Sequence, residues 1–290
     1  MKDKNPTITS EKKILSSSPL SGIAVPIAII LVGALIIFGV SKMLSSGKDH
    51  RDLVEELNSK TFGNRWVAAY ELSKYLAASK IPEKDIPWVI DNLKSVYQQS
   101  VDARTRNFVV LALGSLNKTM ALDLINQAIR DPDAQVQFNA VVVLGNFPKG
   151  SEIDWDQVKK LLDESTDQGL KQALLLCIAT HQHPKQIEWI HPYLSSSERM
   201  LRYSAAIALI STTSNENKMI LEEILNLPYD QRDPNELNGA QVESLKLNII
   251  DQIERHPNPK WTQLLKKIAD QDTNIKINTK AQQILNLLKF

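Results

Sequence analysis

One helical template recurs seven times after residue 50. Each copy starts with a residue that can cap a helix, has a small or apolar residue seven positions later and a larger apolar residue eleven positions later. Positions 3, 7 and 11 lie on one stripe of an α-helix, so every copy predicts an amphipathic helix. The starting residues are Thr61, Asp102, Asp133, Thr166, Glu198, Asn238 and Asn274. The residues at +7 are Ala68, Val109, Ala140, Ala173, Ala205, Leu245 and Ala281, and those at +11 are Leu72, Leu113, Leu144, Cys177, Leu209, Ile249 and Leu285.

A shorter amphipathic segment precedes each copy, so the repeating unit is a pair of helices, A and then B. Successive copies start 31 to 41 residues apart, and no long alternating strand pattern interrupts them. A period of this length is typical of helical arrays, in which each unit buries its apolar face against the next. The sequence therefore predicts an all-α solenoid of about seven helix pairs over residues 51–290.

The template resembles HEAT-type repeats. The residues that carry the resemblance are Asp133-x2-Val136-x3-Ala140-x3-Leu144-Gly145, Asp102-x3-Arg106-x6-Leu113-Gly114 and Glu198-x2-Leu201-Arg202-x2-Ala205-x3-Leu209. The resemblance implies a right-handed α-solenoid whose B helices line a concave binding face. Four copies depart from the family pattern because they lack Arg at +4, and the sixth copy has Leu245 where Ala is usual.

An apolar segment precedes the repeats. Residues 20–44 contain the run IAVPIAIILVGALIIFGV, and a helix of about 20 apolar residues is long enough to cross a bilayer. We therefore predict a disordered polar tail at 1–19, a transmembrane helix at 20–44 and a linker at 45–50. The alternative is a cleaved signal peptide, but its apolar core would have about 7–15 residues.

The charges that flank this segment bear on its orientation. Lys2, Lys4, Lys12 and Lys13 precede it, and the positive-inside rule then favours a cytoplasmic amino terminus. The repeat domain would lie on the opposite side. In a bacterium this means an inner-membrane protein with a periplasmic domain.

Composition and motifs argue against several functions. The net charge of +1 gives no clustered basic excess for nucleic acid. The chain has no phosphate-binding glycine loop, no zinc-protease motif and no nucleophile elbow. His181, His183 and His191 form the densest histidine cluster, but they fall in a turn and at the far end of the next helix. We expect no metal site, no cofactor and no enzymatic activity.

The candidate partner-binding residues are cations and one tryptophan near the starts of B helices. They are Arg65, Trp66, Arg104, Arg106, Arg202 and Lys246. In one interpretation they form a basic strip on the concave face that accepts acidic side chains or a carboxyl terminus. In the other, the cations pair with neighbouring Asp residues and hold the repeats together. The tryptophans of the A helices are likewise either packing residues or a contact surface.

These features predict a membrane-anchored scaffold or adaptor that docks a protein partner. A membrane-associated complex for transport, secretion or envelope assembly would suit such an adaptor. The alternatives are a peptide- or lipid-binding module that uses the concave face and, less favoured by the residues, a lyase-type enzyme of the kind that some HEAT-like proteins resemble.

Overall fold

The structure is a computed structural model that describes residues 48–59, 62–116, 119–230 and 236–288. The predicted tail at 1–19, the predicted membrane helix at 20–44 and the first part of the predicted linker lie outside these residues. Within the described ranges, every helix is too short or too polar to cross a bilayer.

The described residues form fourteen α-helices, which alternate between A helices (odd numbers) and B helices (even numbers). They are α1 (His50–Leu57), α2 (Phe62–Ala77), α3 (Ile86–Gln99), α4 (Ala103–Leu116), α5 (Leu122–Ala128), α6 (Ala134–Gly145), α7 (Trp155–Glu164), α8 (Gln168–Thr180), α9 (Gln186–Ile190), α10 (Arg199–Ala208), α11 (Lys218–Leu225), α12 (Gly239–Arg255), α13 (Thr262–Gln271) and α14 (Ile275–Leu288). Short 3-10 segments at Glu83–Asp85, Thr119–Ala121, His191–Ser195 and Pro259–Trp261 precede or extend A helices.

Stacking of the B helices builds the array. Each B helix packs against the A helix of its own unit or, for α10, against the 3-10 segment His191–Ser195 that extends it. The helices α2, α4, α6, α8 and α10 pack against one another in chain order. The contact between α10 and α12 is slighter, after which α12 packs against α14. One continuous apolar core runs through all seven units. The predicted all-α architecture of seven helix pairs is therefore confirmed.

Most B helices begin where the sequence predicts. Asp133 accepts hydrogen bonds from the amides of Gln135 and Val136, and Asn238 forms a reciprocal capping box with Gln241. Such side chains satisfy amide groups that have no partner inside the helix. The first helix begins at His50, with Asp49 as its cap, one residue before the predicted start of the repeat domain.

The fourth template is out of register by one residue, so the predicted cap Thr166 is wrong. The cap is Asp167, whose side chain accepts a hydrogen bond from the amide of Leu170 (2.8 Å). Both residues can cap a helix, and burial decides between them. With Asp167 as the start, the +7 and +11 positions become Leu174 and Ile178, which are both fully buried.

Candidate partner-docking site

The cations that the sequence singled out lie mainly between repeats. Arg106 of α4 donates from Nε and Nη2 to the carboxylate of Asp131, with both distances 2.8 Å. Asp131 follows α5 in the next unit, and it also accepts a hydrogen bond from the Tyr97 hydroxyl (2.6 Å). This group of cation, carboxylate and tyrosine ties two consecutive units together.

The same arrangement occurs twice more. The hydroxyl of Tyr203 donates to Glu223 (2.6 Å), and Arg202 lies 3.5 Å from the same carboxylate oxygen. In the sixth unit, Lys246 donates to Asp272 (2.9 Å), which also accepts from the Tyr229 hydroxyl (2.7 Å). Each cation belongs to a B helix, and each carboxylate lies in or just after the following A helix.

Arginine at +4 has a second role. Arg65, Arg106 and Arg202 each donate to the backbone carbonyl six residues earlier, at distances of 2.6, 3.1 and 2.9 Å. Those carbonyls lie just after the preceding A helix, where carbonyl groups lack helical partners. The +4 arginine thus joins the two helices of its own unit.

The electrostatics of Asp131 reflect this pairing. Burial by itself raises the pKa of its carboxyl group, but hydrogen bonds from Arg106, Tyr97 and the Asp133 amide outweigh that effect and hold the pKa below its usual value. Burial and the adjacent Asp131 carboxylate raise the pKa of Tyr97. The carboxylate is therefore held ionised between the two units.

The candidate residues do not form one continuous basic strip. Lys246 is only 3% exposed. Arg104 is exposed and pairs with Asp102 (3.3 Å), and Trp66 stacks on Phe108 with a ring-centroid distance of 5.9 Å. The pairing of Arg106, Arg202 and Lys246 with carboxylates is the ladder that the second interpretation describes.

The histidines and tryptophans also have neighbours in the fold. His183 stacks on Trp189 with ring centroids 4.2 Å apart, whereas His191 pairs with Glu216. No group of three metal-ligating side chains converges in the described part of the chain. Trp261 is buried and donates from Nε1 to the carbonyl of Ile210 (3.2 Å), as expected for a packing residue.

A hollow that the repeat template does not predict lies among four B helices. It has a volume of about 380 Å³ and is lined by residues of α6, α8, α10 and α12. Because B helices of four successive units border one cavity, this is the concave face of the array. Ligand pockets typically occupy about 300–1,000 Å³, so the hollow is of a size that takes a short segment.

The lining of this hollow is largely uncharged. Among its described residues only Arg255 carries a charge, and neutral polar groups come from residues such as Ser204 and Asn248. Val142 and Leu176 also line the hollow and remain 41% and 44% exposed. Burial of each of these side chains by a partner would contribute about 1 kcal/mol to the free energy of binding, since full burial of such a side chain is worth about 1.5–3 kcal/mol.

The sequence contains a signal for this surface. Val142 and Leu176 lie nine positions after the caps Asp133 and Asp167, and Leu111 and Ile207 occupy the same position in the second and fifth copies. This position lies outside the +3, +7, +11 stripe, where a solvent-facing helix normally has polar residues.

One end of the hollow carries a hydrogen-bonded bridge. Lys149 donates from Nζ to Gln182 Oε1 (2.5 Å), and Gln182 donates from Nε2 to Nδ1 of His256 (2.9 Å). The three residues follow α6, α8 and α12, so the bridge joins α8 directly to α12, which belongs to the second unit after it. Gln182 has a φ of 50°, a left-handed conformation that is uncommon for residues other than glycine.

Cys177 also borders the hollow, but its thiol is unsuited to chemistry. The residue is fully buried, and burial raises the pKa of the thiol to about 12. The reactive form of cysteine is the thiolate, so this side chain acts as a small apolar residue.

Comparisons with known proteins support the fold. A family model described as HEAT repeats matches residues 90–175. No curated protein matches the chain. A chain in the structure of the complex of CpcE and CpcF of phycocyanin lyase from Nostoc sp. PCC7120 is 17% identical, and the match covers 83% of this chain and 95% of that chain with a TM-score of 0.57.

Two further solved structures are less similar in shape. A HEAT-like repeats protein from the archaeon Thermococcus onnurineus NA1 is 16% identical, with coverage of 83% of this chain and 97% of its own and a TM-score of 0.40. An engineered protein is 18% identical, with the same coverages and a TM-score of 0.41. The family match and the Nostoc structure together show that the chain has the HEAT-like repeat fold.

Proposed function

We propose that this chain is a membrane-tethered scaffold that holds a protein partner in the hollow between α6, α8, α10 and α12. The observation that carries the proposal is the pair Val142 and Leu176, two half-exposed apolar side chains on a concave face that is almost free of charge. Exposed apolar surface in a concave setting is typical of binding sites.

The chemistry of the hollow indicates what kind of segment it accepts. A charged group placed against Val142 or Leu176 would lose water without gaining a partner, whereas an apolar side chain would gain from the same burial. The Nostoc structure is a complex of two proteins, so this fold is able to carry a protein–protein interface. At 17% identity the resemblance concerns the fold alone, and we do not extend the lyase activity of the Nostoc protein to this chain.

The tether is the second part of the proposal, and its support is the sequence of residues 20–44. Five residues separate this segment from α1, which begins at His50. At about 3.3–3.6 Å per residue they reach at most about 20 Å, so the solenoid would stay close to the bilayer. Tethering raises the effective concentration of the hollow beside membrane complexes. A transport, secretion or envelope-assembly complex of a bacterial inner membrane, met on the periplasmic side, fits this position.

The tether is tested by extraction of membranes with alkaline carbonate. We expect the full chain to stay in the membrane pellet, since a spanning helix is released only by detergent. Release of the chain into the carbonate supernatant would contradict the tether, and it would not bear on the proposal that a partner docks in the hollow.

Docking is tested by purification of the full chain from its native membranes in mild detergent. We expect Leu176→Glu to lose a protein that co-purifies with the unaltered chain. The matched control is Ile187→Glu on the A helix α9, because Ile187 has similar exposure (40%) and lies outside the hollow. The docking proposal fails if both variants keep the same partners or lose them together.

A further inference from the structure

The one charged side chain among the described residues that line the hollow, Arg255, lies at one end of it. The B helices run in the same direction, so their carboxyl-terminal residues Asn146, Thr180 and Arg255 border the same end of the cavity. Lys149 and His256 lie just beyond these residues and are joined through Gln182. The remainder of the lining is apolar or neutral.

Arg255 is available to bind an anion. It is exposed, and it makes no hydrogen bond or ion pair within the described part of the chain. Its guanidinium group offers five N–H donors in a planar fork that suits a carboxylate. A cation in the last turn of a helix is also favoured by the helix dipole, but that interaction leaves the donors unused.

The charges that act on His256, the neighbour of Arg255, are positive. Burial lowers the pKa of His256, and the nearby charges that lower it further are the cations Lys149 and Arg255. No carboxylate contributes to this shift. An anion bound at this end of the hollow would therefore lie near the cations Arg255 and Lys149 and the His256 ring.

We propose that the hollow accepts the carboxyl-terminal end of the partner polypeptide, with its last apolar side chains against Val142 and Leu176 and its terminal carboxylate beside Arg255, His256 and Lys149. This inference rests on the proposed function and names the segment of the partner. The bridge from Lys149 through Gln182 to His256 joins the residues that follow α6, α8 and α12 next to this end of the hollow, so a chain that ends there fits better than one that continues.

The test uses the full chain in detergent micelles and an array of synthetic octapeptides attached by their amino ends. The last three residues are drawn from Leu, Ile, Val, Phe, Met and Ala, and every peptide is made as the free acid and as the amide. We expect a subset of free acids to bind, and amidation to weaken binding roughly tenfold to a hundredfold, as expected for loss of charge-assisted hydrogen bonds.

Variants identify the residues responsible. Arg255→Gln is expected to reduce the affinity of the free acids to that of the amides while leaving the amides unchanged. Arg104→Gln is the matched control, since Arg104 is an exposed arginine outside the hollow. It should leave the affinities of both the free acids and the amides unchanged. Circular dichroism should show the same helicity for both variants, because neither substitution reaches the core.

Three outcomes would overturn the inference. The first is that the free-acid and amide peptides bind equally well. The second is that Arg255→Gln weakens the binding of the amide peptides. The third is that no peptide binds while fluorescent palmitate binds in a way that depends on Arg255. If acid and amide bind equally while Leu176→Glu still removes the co-purified protein, the scaffold stands and the terminal carboxylate is excluded. If the array and the co-purification both fail, the proposed function fails as well.

Discussion

Replacement of Arg106 by methionine should open the array between its second and third units. The change removes two charge-assisted hydrogen bonds to Asp131 and two to the carbonyls of Ser100 and Val101. Methionine keeps most of the aliphatic stem, so little packing is lost. The Asp131 side chain, only 2% exposed, is left with the Tyr97 hydroxyl and the Asp133 amide as partners.

The magnitude follows from burial. Removal of one partner of a buried ion pair costs about 3–5 kcal/mol, because the remaining charge is uncompensated. Arg104→Met is the matched control two residues away. Its side chain is 65% exposed, and such exposed pairs are worth about 0–1 kcal/mol. The two variants remove the same charge from the same helix.

The assay is amide hydrogen exchange of the full chain in detergent micelles, since repeat arrays open locally and a single unfolding transition is not assured. A loss of 3–5 kcal/mol lowers the protection of α4 and α5 amides by roughly two to four orders of magnitude. Protection in α13 and α14 should change far less. Equal protection in Arg106→Met and Arg104→Met would refute the view that this ion pair holds the units together.

Three further predictions concern the core and its charges. Gly114→Ala should destabilise the chain by about 1–3 kcal/mol, because the added Cβ would overlap a methyl group of Val143. The Cβ of Gly145→Ala would meet nothing closer than 3.8 Å, so that variant should be neutral or more stable by up to about 1 kcal/mol. Urea unfolding monitored by circular dichroism compares the two, and equal midpoints would contradict the packing. Cys177, whose pKa is raised to about 12, should react with iodoacetamide at pH 8 only after denaturation, and rapid labelling of the native chain would contradict its burial. The pKa of Asp131 is lowered in the folded state. The stabilisation by its carboxylate is therefore complete above the unfolded pKa of about 3.9 and is lost as the pH falls through the folded value. Arg106→Met should lose less stability between pH 5 and pH 2 than the unaltered chain, and an unchanged pH profile would contradict this.

The helix pairs were predictable because their pattern is repeated. A cap and a stripe at +3, +7 and +11 carry enough information to place most B helices within a residue, as Asp133 and Asn238 illustrate. The fourth copy failed where Thr166 and Asp167 both had the chemistry of a cap. The choice between them depends on which register buries Leu174 and Ile178 against the neighbouring units, and a single helix cannot show this.

The candidate site was harder to predict, because its position depends on the curvature of the whole array. Arg106 at +4 of the template and Lys246, four residues beyond that position in its own copy, are the residues that join units. The hollow needs residues of α6 and α12 to approach each other across more than 100 residues of sequence, and the bridge between Gln182 and His256 is a contact that no local pattern encodes. The apolar residue at +9 of the template, such as Leu176, is the sequence feature that indicates an exposed apolar surface there.

A protein partner should occupy the hollow while the chain is in its membrane. The most direct measurement is photo-cross-linking in intact membranes, with benzoylphenylalanine placed at Leu176 or, as the control, at Ile187, which has similar exposure. We expect a discrete protein cross-link from position 176 and none of the same mass from position 187. Identical cross-linking from both positions, or products from position 187 alone, would contradict it.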